Sequence, residues 1–237
     1  MRLLAFQNTP GEPPAAFSRH ASAAGDTVHI VRLCDGGPIP DGADFDALIV
    51  MGGPMDVWEE DAYPWLAPEK TAIRNWVTTG KPFLGICLGH QLLVEAMGGT
   101  CRSMQTPEIA VSDVTRLAAD DPLLAALPDH FPAMHWHGVE ADALPDNTCV
   151  LARSAGCDIQ AVRVDDNAWG LQFHPELEHG TVTKWMDDKG NIDCATDWLG
   201  STEAAWDFVK QSEARADSFL ETSGQIYQAF RTRTLAK

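Results

Sequence analysis

A cysteine in a glycine-flanked turn is the residue of this 237-residue chain best placed for covalent chemistry. Cys87 follows the apolar run from Lys81 to Ile86 and directly precedes a helix pattern. Gly85 and Gly89 lie two positions to either side of it. A strand, a Gly-x-Cys-x-Gly turn and a helix in succession form the cysteine counterpart of a nucleophile elbow. A helix N-terminus favours a thiolate, which is a nucleophile for acyl transfer. We therefore predict Cys87 as a nucleophile and the backbone amide of Leu88 as an oxyanion donor; the alternative is a buried cysteine whose flanking glycines serve only close packing.

The segment around residue 174 offers a base and a group to orient it. A strand pattern from Ala168 to Phe173 carries His174 to its end, and Glu176 follows across Pro175. Because two extended residues advance the chain by about 6.5 Å and return the side chain to the same side, Glu176 can reach the far nitrogen of His174. Pro175 stiffens that geometry. A capping histidine beside a solvated glutamate is the alternative for this fragment taken alone.

Alternating strand and helix patterns position these residues. Four apolar runs bounded by Gly, Pro, Asp or Asn predict buried strands at Arg2 to Phe6, Thr27 to Leu33, Ala47 to Met51 and Lys81 to Ile86. Helices are predicted at Pro68 to Gly80 and Gln91 to Met97. This order predicts an α/β fold with a mainly parallel sheet covered by helices on both faces, and ligands beyond the carboxyl ends of the strands.

The second half of the chain is less regular. It opens with a polar, proline-containing stretch from 105 to 121, followed by a predicted hairpin of Gln160 to Val164 and Ala168 to Phe173. A helical pattern then runs from Thr202 to Leu220, with Gly224 as a predicted break. Without an internal repeat or flexible linker, we predict one domain over residues 1–195 and a helical extension over 196–237 that packs on it.

Composition excludes several classes of protein. Seventeen Lys and Arg against 34 Asp and Glu give a formal charge of −17, which argues against nucleic-acid and basic membrane-surface proteins. No apolar run approaches the ~18 residues of a membrane span, and residues 1–8 lack a signal-peptide core, so we expect a cytoplasmic protein. The six cysteines include no Cys-x-x-Cys pair, which argues against a zinc ribbon or a dithiol redox motif.

Three motifs together resemble those of the class I glutamine amidotransferases, the Cys-His-Glu triad type. They are Met-Gly-Gly-Pro at 51–54, Gly-Ile-Cys-Leu-Gly-His-Gln at 85–91 and Gly-Leu-Gln-Phe-His-Pro-Glu at 170–176. The resemblance spans roughly residues 1–180 and implies a flavodoxin-like domain. Further similarity at 107–109, 135–138 and 160–163 is to free-standing members related to the glutaminase domain of guanosine monophosphate synthetase.

The resemblance implies a role for each matching position. Cys87 would attack the side-chain amide of glutamine to give a γ-glutamyl thioester and ammonia, with His174 as the base and then the acid, and Glu176 orienting it. Gly53 and Leu88 would supply the two oxyanion-hole amides. The positions that would bind the substrate are Gln91, Trp136, His137 and Gly138.

Two departures from the family pattern leave the choice among γ-glutamyl substrates open. Met55 stands where many relatives have glycine, and Val139 follows Gly138 where relatives of the synthetase often have Asp. The alternatives are a γ-glutamyl peptidase or hydrolase with the same triad, and a non-catalytic, amidotransferase-like regulatory module.

No cofactor or metal is expected. The histidines at 135, 137, 174 and 179 could be drawn as a metal cluster, but His174 is assigned to the triad and no other motif indicates a metal. The chain has no phosphate-binding glycine loop, so any ammonia acceptor would lie on a separate synthetase polypeptide. The alternative to simple packing of the carboxyl-terminal helices on the domain is that they dock a synthetase subunit.

Overall fold

The computed structural model describes residues 1–236, and over these residues strands and helices alternate before a helical carboxyl-terminal section. The strands are Arg2–Gln7 (β1), Thr27–Arg32 (β2), Ala47–Val50 (β3), Phe83–Ile86 (β4), Thr100–Arg116 (β5), His130–Ala143 (β6), Thr148–Arg153 (β7), Ala161–Val164 (β8) and Ala168–Leu171 (β9). The helices are Ala15–Ala23 (α1), Leu66–Thr78 (α2), Leu88–Ala96 (α3), Thr181–Trp185 (α4), Lys189–Leu199 (α5), Thr202–Ala214 (α6) and Ala216–Leu235 (α7).

One mixed sheet joins all the strands of the described chain, in the order β2-β1-β3-β4-β9-β8-β7-β5-β6. The half from β2 to β9 is parallel, and the half from β9 to β6 is antiparallel. Strands β3, β4 and β9 are buried along their whole length. Continuous apolar strands of this kind require cover on both faces, which confirms the predicted α/β class.

The four predicted amino-terminal strands and the hairpin of β8 and β9 are confirmed, with ends shifted by a few residues. Strands β5, β6 and β7 and helices α1, α4 and α5 lie outside the prediction. Strand β6 alternates buried and less buried residues, as expected for a strand with one covered face. Its partner β5 carries the proline-containing stretch, where the register shifts between Ser103 and Glu108 hide the alternation.

The carboxyl-terminal helices differ from the prediction at two points. Helix α6 ends before Arg215, and α7 runs through Gly224, so the predicted break at Gly224 is wrong. A Cβ at Gly224 would lie 3.3 Å from the ring of His20, and the glycine therefore lets α7 approach α1 closely. This packing outweighs the roughly 1 kcal/mol that a mid-helix glycine costs. The predicted boundary at 195/196 falls inside α5, and the two-part division stays a prediction.

A buried carboxylate ties α7 to the first strands of the sheet. Asp26 precedes β2, and its side chain is 1% exposed. It accepts hydrogen bonds from Arg231 Nε and Tyr227 Oη, each at 2.7 Å. Charge-assisted bonds of this kind, made where water is excluded, stabilise the packing of α7 on the domain.

No helix of the described residues is long and apolar enough to cross a membrane.

We predict that Asp26→Ala lowers the free energy of unfolding by about 2 to 4 kcal/mol, because it removes the acceptor for Arg231 and Tyr227. Urea denaturation followed by circular dichroism measures the change. The matched control is Asp207→Ala, which breaks an exposed pair with Lys210 and should cost no more than about 0.5 kcal/mol. Equal effects of the two substitutions would contradict the anchoring role of Asp26.

Candidate active site

Cys87 occupies a strained turn between β4 and α3. Its φ is +50° and its ψ −105°, a backbone conformation that non-glycine residues rarely adopt. The two flanking glycines make the turn sterically feasible. A Cβ on Gly85 would lie 2.3 Å from the carbonyl oxygen of Gly89, and a Cβ on Gly89 would lie 2.2 Å from the carbonyl oxygen of Val50. The glycines therefore allow α3 to start directly against the sheet with Cys87 at its N-terminus.

The parallel pairing of β4 with β9 brings His174 to the same edge as Cys87. Ile86 pairs with Leu171, and the Cys87 amide donates to the Leu171 carbonyl at 2.8 Å. His174 Nδ1 lies 2.8 Å from Glu176 Oε1, and both side chains are almost fully buried. The backbone amide of His174 donates to Met134 of β6 at 3.0 Å. The imidazole is thus fixed by one side-chain and one backbone contact.

The surroundings of His174 favour its protonated form. Burial by itself lowers the pKa of His174, but the negative charges of Glu176 and Cys87, and hydrogen bonds to both, together raise it well above its usual value. The ring of Trp185 from α4 packs edge-on against the imidazole, with the centroids 5.2 Å apart. A protonated imidazole between a sulfur and a carboxylate is the arrangement that a thiolate nucleophile requires.

A chain of buried amide side chains starts at Cys87. Gln172 Nε2 donates to Cys87 Sγ at 3.6 Å, and its Oε1 accepts from Gln91 Nε2 at 3.2 Å. Gln91 also donates to the Val139 carbonyl at 3.1 Å. Gln172 was not predicted as a site residue. It lies two residues before His174 in an extended segment, and that period-two spacing is the signal that points to it.

The two predicted oxyanion-hole residues face each other across the turn after β3. A Cβ on Gly53 would lie 3.2 Å from Leu88 Cδ2 and 2.5 Å from the sulfur of Met55. Leu88 is the first residue of α3, so its amide has no acceptor inside the helix. Met55 is buried against Gly53, where its bulk narrows the space over the turn.

A buried network supports this turn from behind. Asn8 Nδ2 donates to the Met51 carbonyl and to Glu69 Oε1, both at 3.3 Å. Trp65 Nε1 donates to Asn8 Oδ1 at 3.2 Å. Glu69 is fully buried, and burial raises its pKa to about 8, with smaller opposing effects of Asn8 and Lys70. A neutral Glu69 therefore holds the loop after β1 against the turn at Gly53.

A cavity of about 930 Å³ opens over the triad. Every predicted site residue except Leu88 lines it, namely Gly53, Cys87, Gln91, Trp136, His137, Gly138, His174 and Glu176. One wall comes from α4, α5 and the segment between them, including Trp185 and Trp198, neither of which is a predicted site residue. Glu12, in the loop after β1, also lines the cavity and was not predicted. The rule that ligands bind beyond the carboxyl ends of parallel strands is the signal that points to Glu12.

A second buried cluster lies beside the cavity, between β5 and β6. Glu108 Oε2 is 3.0 Å from His137 Nε2 and 3.6 Å from His135 Nδ1. Gln160 Nε2 donates to Glu108 Oε2 at 2.7 Å, and Ser154 Oγ donates to Glu108 Oε1 at 2.7 Å. These bonds fix His137 at the cavity wall, where its Nδ1 lies 3.1 Å from the Val139 carbonyl.

Two sets of side chains in the described chain come close enough to share a metal ion: Glu108, His135 and His137, and Glu12, His174 and Glu176. Neither is the four-histidine cluster considered from the sequence. His179 is exposed and bonds to Asp217 at 2.8 Å. Burial lowers the pKa of His135 to about 4, against the raising effect of Glu108, so its imidazole is neutral.

Comparison with known proteins is consistent with this geometry. The family model for class I glutamine amidotransferases matches residues 17–190. The chain belongs to the class I glutamine amidotransferases. It is therefore a glutaminase-type enzyme of this family, and its sheet is the flavodoxin-like sheet of the amidotransferase domain.

Curated relatives of this amidotransferase differ in how much of their own length the match covers. The glutamine amidotransferase-like protein YfeJ of Salmonella typhimurium is 29% identical over 231 residues, which cover 95% of this chain and 94% of YfeJ. The glutamine-hydrolysing GMP synthase subunit of Sulfolobus acidocaldarius is 34% identical over 137 residues, 57% of this chain and 70% of that relative. The glutamine-hydrolysing GMP synthase of Thermomicrobium roseum is 42% identical over 133 residues, but the match spans only 23% of its length.

A glutamine amidotransferase from Thermotoga maritima superimposes on the amidotransferase fold with a TM-score of 0.85. The identity is 22%, and the match covers 100% of this chain and 99% of the other. This similarity shows that the whole fold, including the carboxyl-terminal helices, is shared.

We predict that Glu69→Gln changes the pH dependence of stability. The carboxyl is protonated in the folded protein up to pH about 8 but ionises above about 4.5 when the chain unfolds, so its contribution is present at low pH and is lost as pH rises through this range. Glutamine does not ionise. The variant should therefore gain stability relative to wild type by up to about 1.4 kcal/mol per pH unit across that window.

Urea denaturation at pH 5 and pH 9 measures this difference, and the exposed Glu203→Gln serves as the control that should show none. If Glu69→Gln and wild type differ in free energy of unfolding by the same amount at pH 5 and at pH 9, the result contradicts a neutral Glu69.

Proposed function

We propose that this amidotransferase hydrolyses the side-chain amide of glutamine to glutamate and ammonia through a γ-glutamyl thioester on Cys87. The observation that carries the proposal is the shared cavity: the Cys87 sulfur at the strained elbow and the His174–Glu176 pair, joined at 2.8 Å, line the same space. The family membership supports the same chemistry.

Each step of the proposed reaction assigns a role to one side chain. The Cys87 thiolate attacks the amide carbon, and the carbonyl electron pair moves to its oxygen, where the amides of Gly53 and Leu88 donate hydrogen bonds. The oxyanion then collapses, the carbon–nitrogen bond breaks with its electron pair going to nitrogen, and protonated His174 gives that nitrogen its proton. Ammonia leaves, and the acyl group stays on sulfur as a thioester.

The second half of the reaction regenerates the enzyme. His174, now neutral, takes a proton from water, and the resulting hydroxide attacks the thioester carbon. The oxyanion that forms collapses, and the carbon–sulfur bond breaks with its electron pair going to sulfur. The new carboxyl group gives its proton to solvent, and glutamate leaves with the thiolate and protonated imidazole restored. Glu176 keeps the ring in the tautomer that both halves need, because its Oε1 is 2.8 Å from Nδ1. Gln172 remains a hydrogen-bond donor to the sulfur throughout.

The four remaining predicted residues support substrate binding in the proposal. Gln91 holds the chain of buried amide side chains in place behind Cys87. The Trp136 carbonyl oxygen lies 3.9 Å from the Cys87 sulfur. His137 is held by Glu108, and Gly138 leaves room for Trp198, since a Cβ there would lie 2.9 Å from the indole. These residues line the face of the cavity that the γ-glutamyl part would contact.

A second candidate function keeps the triad and enlarges the substrate. At about 930 Å³ the cavity is near the upper end of the range for small-molecule pockets, and it exceeds the needs of free glutamine. This volume favours hydrolysis of γ-glutamyl peptides or related conjugates as the alternative to glutamine. Transfer of ammonia to a separate synthetase subunit belongs to the glutamine version of the proposal, and the similarity to the GMP synthase subunit of Sulfolobus acidocaldarius supports it.

We predict that Cys87→Ala abolishes glutamate release and that His174→Ala lowers it by about 10³-fold or more, because the first removes the nucleophile and the second the acid and base. A glutamine analogue with an electrophile at the γ position should label wild type once, on the peptide that contains Cys87, and should not label Cys87→Ala. Mass spectrometry measures the label. Cys157→Ala, which removes another buried cysteine, should keep it. Absence of labelling on wild type would favour the non-catalytic regulatory module instead.

We predict that a panel of γ-glutamyl compounds separates the two candidate functions. Glutamate release from glutamine and from γ-glutamyl dipeptides is measured as kcat/KM, with α-glutamyl dipeptides as the control class. The glutamine version of the proposal expects glutamine to be hydrolysed at least as well as any dipeptide. A preference of roughly 100-fold for dipeptides, equivalent to about 2.7 kcal/mol in transition-state binding, would replace it by the γ-glutamyl hydrolase.

A further inference from the structure

Glu12 is a carboxyl group at the triad that the proposed reaction does not yet use. One oxygen of Glu12, one ring nitrogen of His174 and one oxygen of Glu176 lie within 4.8 Å of one another. The carboxyl also borders the turn after β3. A Cβ placed on Gly52 would lie 2.2 Å from Glu12 Oε2 and 3.4 Å from Cys87 Cβ. Glu12 and the nucleophile therefore flank the same point of that turn.

The hydrogen bonds of Glu12 are incomplete. Its Oε2 is buried and has no hydrogen-bond partner among the described residues. A buried carboxylate oxygen without a donor costs free energy, so such an atom at the wall of a ligand cavity indicates a donor that arrives with the ligand. Burial, together with the charge of Glu176 and against that of His174, raises the pKa of Glu12 to about 7, so the carboxylate that can accept such a donor is the predominant form above neutral pH.

The loop that carries Glu12 is held in place from both sides. Trp185 Nε1 donates to the Gly11 carbonyl at 2.9 Å, and Gln7 Nε2 donates to the Thr9 carbonyl at 2.8 Å. The Glu12 amide itself donates to the Thr9 carbonyl at 3.3 Å. After Glu12, the Ala16 amide donates to the Glu176 carbonyl at 3.1 Å. These contacts fix the backbone on either side of Glu12, so the point from which its carboxyl projects is set before a substrate enters.

We propose that the Glu12 carboxylate accepts a hydrogen bond from the departing nitrogen of a γ-glutamyl amide and so makes the enzyme selective for amides over esters. The inference rests on the proposed function, because it assigns the leaving-group subsite of the same reaction. The departing nitrogen must lie next to His174 to receive its proton. Like Glu176, Glu12 has a carboxyl oxygen within 4.8 Å of a ring nitrogen of His174.

The chemistry explains the selectivity. As His174 transfers its proton, the amide nitrogen becomes an amine with N–H bonds and growing positive charge. A carboxylate that accepts a hydrogen bond from one of these N–H groups stabilises the nitrogen more in the transition state than in the ground state, where the amide is neutral. The oxygen of a departing alcohol carries only the proton that it receives from His174. Glu12 therefore assists amide cleavage and leaves ester cleavage little changed, without taking up a proton itself.

The test compares Glu12→Gln with wild type on two substrates that share an acyl group: glutamine and the γ-methyl ester of glutamate. Glutamate release is measured as kcat/KM, which reports the acylation step in which the leaving group departs. We expect the amide value to fall by roughly 10- to 100-fold, the loss of one charge-assisted hydrogen bond, and the ester value to change less than about 3-fold. The amide-to-ester ratio is therefore the readout, and a general loss of active protein does not move it.

Two further variants complete the experiment. Glu178→Gln is the matched control, because Glu178 also lines the cavity but is half-exposed and faces Arg19 at 3.9 Å; its amide-to-ester ratio should equal that of wild type. Glu12→Asp keeps the charge and withdraws the carboxyl by one methylene, and we expect it to lower the ratio as well. It also provides a second reading if Glu12→Gln fails to fold.

The outcomes separate this inference from the function on which it rests. A fall in the amide-to-ester ratio for both Glu12 variants supports the inference. Equal losses on amide and ester overturn it and would assign Glu12 to the α-ammonium group that both substrates carry. Unchanged values on both substrates also overturn it. If wild type releases glutamate from neither compound, the glutamine version of the proposed function is overturned instead.

Discussion

The pairing of β4 with β9 is the contact on which the rest of the site depends. These strands are far apart in sequence, and their parallel register aligns Gly85 with Gly170. Both glycines are required by close neighbours: a Cβ on Gly85 would meet the α3 backbone, and one on Gly170 would lie 2.4 Å from His90 Nδ1. Helix α3 can therefore pack close to the backbone of both strands. That approach places the elbow and the histidine-bearing strand end at one edge of the sheet.

The charges of the buried histidines differ because their neighbours differ. Burial lowers the pKa of His90 to about 3 and that of His135 to about 4. His174 is buried as deeply, but it lies between a carboxylate and a sulfur, and its pKa moves in the opposite direction. Desolvation favours the neutral imidazole at all three positions, and the two anionic neighbours of His174 reverse the effect there. Of these three imidazoles, His174 is therefore the one whose surroundings favour the protonated form.

Much of the parallel half of the fold could be predicted from local patterns, because each of its strands is a short apolar run with clear boundaries. The residues of the proposed triad could be singled out for the same reason: Cys87 and His174 stand directly after such runs. Strand β5 was not predictable in this way, because register shifts and a proline interrupt its alternation. The continuation of α7 through Gly224 depends on packing against His20, which no local pattern contains.

The unpredicted parts of the site have a similar physical origin. Glu12 lies in a loop whose position depends on Trp185, 173 residues later in the chain. Glu108 is close to His137 only because β5 and β6 pair in one particular register. Contacts between segments so distant in sequence leave no spacing to recognise. Two signals remain: Gln172 shares the strand end of His174, and the loop that carries Glu12 follows the carboxyl end of a parallel strand.

The wall of the cavity formed by α5 has an evolutionary consequence. Asn191, Cys194 and Trp198 line the cavity but lie beyond residue 190, where the family-wide match ends. The residues proposed for acyl transfer all lie inside that match. Sequence drift in this short helical segment can thus reshape the space around a bound molecule while the catalytic edge of the sheet stays constant. Paralogues with one shared reaction and different preferred metabolites are the expected result of such an arrangement.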